Sequence, residues 1–330
     1  MERPSLTRFA WLSIAAAIAT ISLKSGAYIL TGSVGLLSDA VESIVNLLGG
    51  LMALWMLSIA ARPADLIHTY GHSKAEYFAS ATEGILILLA AASIAFAAIQ
   101  RLIHPQDLEK VGWGLAVSVT ASLVNFFIAR ILLKAGRKYN SITLEADSVH
   151  LMTDVWTSVG VILAVIVVSI SHWRIIDPVI ALIVAANIIS TGVHLVSRSV
   201  SGLMDVALPP SEQKEIEGIL NGYRNKGIEF HALLTRQSAA RKFVSVHILV
   251  PGHMTVHDGH HITEEFENEI LDIFNNAVVI THLEPIEDEI SADDILLDRV
   301  KIERKLLSDS KKNSDAGNRK KINKKKSDRR

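Results

Sequence analysis

Cysteine is absent from the 330-residue chain. Disulfides and thiolate metal centres are thereby excluded, and with them the soft donor set that favours Cu(I). Any metal must be held by His, Asp, Glu or Asn. A HisGluXaaXaaHis motif is missing as well, which leaves no signature of an intramembrane metalloprotease. No enzymatic activity and no nucleic-acid partner are expected. Charge is sparse, with 20% Asp, Glu, Lys and Arg against 49% hydrophobic residues. Near the N-terminus there is no small-residue cleavage pattern of a removable signal peptide, so the first apolar run reads as a retained span.

What is present is apolar sequence in long stretches. Six runs stand out, at 9–30, 35–61, 77–103, 112–133, 142–171 and 175–199. Each reaches the roughly 20 residues that a helix needs to cross a bilayer core. Thr31, Gly32 and Ser33, Arg62 and Pro63, His104 and Pro105, and Gly136 to Lys138 punctuate them. With the N-terminus taken as inside, Arg3, Arg8, Arg62, Lys74, Arg130, Lys134, Arg137, Lys138 and Arg198 fall on the inner side. Only Arg101, Lys110 and Arg174 fall outside. This asymmetry predicts a multi-pass membrane protein with both termini in the cytoplasm.

Composition changes at Leu208, Pro209 and Pro210. Beyond it the pattern predicts a helix over 211–223 with Ser211 as N-cap, strands over 228–237 and 243–250, a helix with Ile262, Phe266, Ile270 and Phe274 on one stripe, and a strand over 278–283. The order is αββαβ. The expected fold is therefore a membrane all-α bundle of six transmembrane helices plus a small α+β domain. Residues 1–208 form the transport domain, 209–291 the αββαβ domain and 292–330 a charged tail. The last twenty residues carry a net charge of +8, which leaves −9 for the rest of a chain whose total is −1. That tail reads as a solvated, disordered terminus, with attraction to acidic lipids as the alternative.

One spacing occurs twice within the apolar runs. Asp39, Glu42 and Asn46 repeat the intervals of Asp147, His150 and Asp154. On a helix of about 3.6 residues per turn, Glu42 stacks over Asn46, and His150 over Asp154. Ionisable groups at membrane depth cost about 2.5 to 3.5 kcal/mol each on insertion scales. Interhelical hydrogen bonding explains one Asn or one His, but a cluster with two carboxylates needs a divalent cation as compensating partner. Glu42, Asn46, His150 and Asp154 are the expected transport site, and Asp39 and Asp147 stand behind it as supporting groups, dipole partners or an ion path. Lys24, near the outer end of the first run, is expected to snorkel to the interface.

Two further groups carry metal-ligand chemistry. Asp65, His68 and His72 lie within one short loop and can wrap one cation, against the plain reading of a polar loop with two surface histidines. His231, His247, His260, His282 and Glu284 concentrate in the αββαβ domain, where His282 and Glu284 share a strand face. Lys74 and Asp205 fall at the membrane edge, where an ion pair between helix ends is expected.

These residues are where the chain resembles the cation diffusion facilitators, in the bacterial zinc and iron efflux branch. The resemblance rests on Asp65, His68, Gly71 and His72, on His150 with Asp154, on Thr235 to Ser238 (ThrArgGlnSer) and on His282 to Pro285 (HisLeuGluPro). It covers nearly everything from the first span to about Glu289. It implies six membrane helices, a site built from the second and fifth, dimerisation through the αββαβ domain, and residence in the inner cell membrane. The second helix departs from the pattern: zinc carriers usually offer His or Asp and then Asp, where this chain has Glu42 and Asn46. His150 suits Zn²⁺, Fe²⁺, Co²⁺ or Ni²⁺, while the oxygen donors tilt toward Mn²⁺ or Fe²⁺. The expected function is a homodimeric antiporter that exports a divalent cation, Zn²⁺ foremost, in exchange for protons. The alternative is a membrane-anchored metal sensor or scaffold that moves nothing.

Overall fold

The structure is a computed structural model, and it describes residues 5–31, 34–104, 113–171, 173 and 175–288. Side chains at 31–42, 113–115, 165, 166, 168, 169 and 171 lie outside the described set. The charged tail expected over 292–330 lies wholly outside it. The described residues form two compact units, one reaching to 207 with the hairpin tip 236–242, and the other 208–235 with 243–288.

The first unit holds six long helices: α1 (Thr7–Thr31), α2 (Val34–Ala60), α3 (Ala75–Ile103), α4 (Trp113–Tyr139), α5 (Ile142–Ser171) and α6 (Ile176–Leu203). They overlap the six apolar runs, with α4 continuing six residues past the end of its run, through Arg137 and Lys138, and α6 four past the end of its own. Among the described residues five of them are long and apolar enough to cross a membrane by length and composition. The sixth, α5, carries Glu145, Asp147 and Asp154. Large apolar side chains such as Trp55, Leu89, Phe96 and Ile183 face outward, while Glu76, Glu83, Asp147 and His150 are buried. A water-soluble bundle has the opposite distribution; this one suits lipid outside and polar pairing within.

Helices pair as α1 with α2, α3 with α6 and α4 with α5. The contact of α3 with α6 is close because small residues line it: a Cβ on Gly202 would stand 2.2 Å from a ring carbon of Tyr77, and the Ser199 hydroxyl donates to the Ser80 hydroxyl at 2.9 Å. Small side chains let helices approach where lipid supplies no hydrophobic drive. At the start of α5, buried Glu76 of α3 accepts hydrogen bonds from the Ser141 hydroxyl and the Thr143 N–H. One carboxylate thus satisfies an orphan donor of the α5 N-terminus and ties the two helices together.

The second unit runs α7 (Pro210–Arg224), β1 (Glu229–Ser238), β2 (Arg241–Val250), α8 (Val256–Ile273) and β3 (Ala277–Pro285). The sheet order is β1-β2-β3. Ile286, just past β3, donates to the Val250 carbonyl at the end of β2, so those two strands run the same way. Ile216, Leu220, Val246, Ile248, Phe266 and Ile270 form the buried core between sheet and helices. One expectation is corrected here. The N-cap of α7 is Pro209, with Pro210 opening the helix and Ser211 already inside it, because a proline ring presets the helical φ at the first position and its missing N–H costs nothing there.

Candidate metal centres

The membrane cluster is built from five helices. Asn46 (α2) and His150 (α5) meet, with Asn46 Oδ1 at 2.7 Å from His150 Nε2. The Asn46 amide nitrogen donates to Asp154 Oδ2, and Asn125 of α4 donates to the same oxygen at 3.1 Å. On the other side of the imidazole, Glu83 of α3 places Oε2 at 3.0 Å from His150 Nδ1. Asp147 accepts from the Ser13 hydroxyl of α1 at 3.0 Å and feels the charge of Glu83. Asn46, Glu83, Asp147 and His150 are all buried. Three of the four expected transport-site residues therefore converge. Glu42 lies on α2 together with Asp39, but the side chains of both are outside the described residues. Lys24, expected at the outer interface, lies within electrostatic reach of Asp154.

Glu83, Asn125 and Ser13 were missing from the sequence reading. For Glu83 a signal existed: it is a carboxylate in the middle of an apolar run, and such a residue is a functional candidate by default. Its neighbours one turn away on α3 are Ala79, Ser80, Leu86 and Ile87, so no second metal ligand on the same helix marks it.

The loop between α2 and α3 brings Asp65, His68 and His72 together. His68 Nδ1 is 3.3 Å from Asp65 Oδ1, and His72 Nε2 is 3.4 Å from Asp65 Oδ2. The two histidines approach at 3.1 Å. Gly71, at φ +79°, turns the backbone between them in a region open mainly to glycine. The backbone N–H of His68, with that of Ile67, holds the Asp65 carboxyl below the usual carboxylate range. Asp65 is thus kept ionised, as a cation ligand must be.

In the second unit the donors lie across the sheet. His231 Nε2 (β1) and His247 Nδ1 (β2) each stand 3.0 Å from a carboxylate oxygen of Glu284 (β3), and 3.1 Å from each other. His282 reaches Glu284 at 3.4 Å. Among the described residues, Asp65 with His68 and His72, and His231 with His247 and Glu284, are the groups of three or more whose donor atoms all lie within 4.8 Å. His260 is not brought to that group: it sits exposed on α8, 3.9 Å from Glu264, because the helix displays it one turn from that carboxylate rather than toward the sheet.

Lys74, just before α3, and Asp205, just after α6, meet at 2.9 Å. Arg236 joins Asp205 at 3.1 Å. Asp205 adopts φ +57°, a left-handed conformation that short polar side chains tolerate.

Six long helices around buried oxygen and imidazole donors, joined to a small α+β unit with a second donor cluster, define a membrane carrier for divalent cations. Comparison with known proteins agrees: residues 10–204 match the family model of the cation efflux transmembrane domain, and residues 208–286 that of the cation efflux protein cytoplasmic domain. The chain belongs to the cation diffusion facilitator family. It is 50% identical over 280 residues to an uncharacterized transporter of Synechocystis, sll1263, covering 85% of this chain and 90% of that one. It is 31% identical over 281 residues to the cation-efflux pump FieF of Salmonella arizonae, covering 85% and 93% respectively. Among solved structures, the metal-bound C-terminal domain of the CzcD transporter from Thermotoga maritima matches 24% of this chain and 92% of its own length, at 25% identity and a TM-score of 0.22.

Proposed function

We propose that the protein exports a divalent cation, Zn²⁺ foremost, from the cytoplasm in exchange for protons, as a homodimer in the inner cell membrane with both chain ends inside. The observation that carries this reading is the contact of His150 with Asn46 and, through it, with Asp154, deep among apolar helices. Asn46 Oδ1 can only accept, so Nε2 of His150 carries a proton in this state. A cation bound at Nε2 must displace that proton, and ionised Asp154 supplies the opposite charge. Metal and proton therefore exclude one another at one site, which is the physical basis of exchange. Movement of α5 against α2 would present the site to either face of the membrane in turn.

Asp65, His68 and His72 are read as a second cation site in the loop, and His231, His247 and Glu284, with His282 beside them, as a regulatory site that favours the dimer. His260 keeps only the weaker role of an outlying ligand. The Lys74 and Asp205 pair is read as a lock between the ends of α3 and α6. Vesicles reconstituted with the full chain test the central claim. Zn²⁺ uptake driven by a proton gradient is expected, and Asp154→Ala is expected to abolish it. Undiminished flux in Asp154→Ala refutes the site, whereas no flux in the wild-type protein would leave a sensor or scaffold.

A further inference from the structure

We propose that Glu83 of α3 is a positioning residue of the transport site, whose carboxylate orients His150 from behind and supplies the negative charge that Asn46 lacks. The inference rests on the reading of Asn46, His150 and Asp154 as that site. Glu83 is 1% exposed. Neither of its carboxylate oxygens has a hydrogen-bond partner among the described residues, and neither does Nδ1 of His150, 3.0 Å away. A buried carboxylate left in this state is costly unless something compensates for it. The other buried glutamate of the same helix, Glu76, shows what a purely structural role looks like: it accepts from Ser141 and Thr143.

The surroundings of Glu83 are shaped for it. A Cβ on Gly49 would stand 2.5 Å from Glu83 Oε1. Gly49 lies three residues past Asn46, so it clears a path along α2 that brings the carboxylate in beside the site. The imidazole is then flanked by Glu83 at Nδ1 and by Asn46 at Nε2. When a cation takes Nε2, the ring proton belongs on Nδ1, where Glu83 can accept it in a hydrogen bond. Carboxylates placed behind a ligating histidine in this way fix the ring orientation and raise its basicity, and losing one typically costs 10- to 100-fold in metal affinity. α3 thereby joins the cation site, which the repeated spacing on α2 and α5 does not reveal.

Zn²⁺ flux into vesicles, measured as half-saturating concentration and maximal rate, tests the proposal. Glu83→Gln is expected to raise half-saturation by about 10-fold or more, with the maximal rate much less affected. Glu83→Asp should recover part of the loss, and Asn46→Asp in the Glu83→Gln background should recover part as well, because it returns one negative charge to the imidazole. A Glu83→Gln protein with unchanged half-saturation overturns the proposal, and so does a double variant no better than the single one. Should Glu83→Gln fail to assemble, Gly49→Ala decides: its methyl group displaces the carboxylate and leaves every charge in place, so unchanged half-saturation there overturns the proposal too. Asp154→Ala run alongside separates the two readings. If Asp154→Ala is silent and Glu83→Gln is normal, only the role of Glu83 fails.

Discussion

Glu76 and Glu83 lie about two turns apart on α3, both buried, and their surroundings differ completely. The first spends its charge on the start of α5, and the second faces an imidazole. Sequence alone gives both the same letter seven residues apart, so only contacts separate structural from functional. Asn46 raises the complementary question, since its amide bridges His150 and Asp154 where an acid would be expected. An Asp there loses the N–H that satisfies Asp154 and sets two carboxylates side by side, which a cation would relieve. Asn46→Asp is therefore expected to melt at a lower temperature than wild type without metal and to gain more from added Zn²⁺. Its ranking of Zn²⁺ against Mn²⁺ should shift from that of wild type, as parallel uptake of the two ions would record.

At the scale of elements, the six apolar runs located α1 to α6 because their lengths and hydrophobicity leave few alternatives. Ends were less legible: α4 runs on through a basic segment, and α7 starts on a proline. The pairing of Lys74 with Asp205 was expected from topology, but Arg236 as a second partner comes from a distant segment of the chain. The Lys74 side chain, with Arg236, holds the Asp205 carboxyl below the usual carboxylate range. A carboxylate whose folded pKa is depressed contributes stability above its unfolded value, near 3.9. That contribution is lost as pH falls through the lower folded value. Asp205 is partly exposed, so solvent screening keeps the contribution small, about 1 kcal/mol or less. Melting curves of wild type and Asp205→Asn in detergent should differ at pH 6 and converge as pH falls below about 4.

At the scale of the whole molecule, two units carry separate donor sets, and each needs different evidence. In the second unit, His231, His247 and Glu284 come from three strands, and alternation along the last strand gives only that His282 and Glu284 share a face. Selecting among five candidates was not possible that way, since His260 is equally hydrophilic and equally close in sequence. Glu284→Gln removes the charge that both imidazoles face. It is expected to reduce the Zn²⁺-dependent rise in thermal stability and to slow flux without abolishing it, in contrast to Asp154→Ala. Calorimetry with and without a chelator, alongside vesicle uptake, checks both parts.

Helix number, the division near residue 208 and the stacking of His150 over Asp154 follow from local rules of period, hydrophobicity and charge, and these are written along the chain. The meeting of Asn46 with His150, the approach of Glu83 from α3 and of Asn125 from α4, and the exclusion of His260 depend on which helix faces meet. Those contacts join residues as far as 104 positions apart. Periodicity marks which face of a helix is polar, whereas packing alone decides what that face touches.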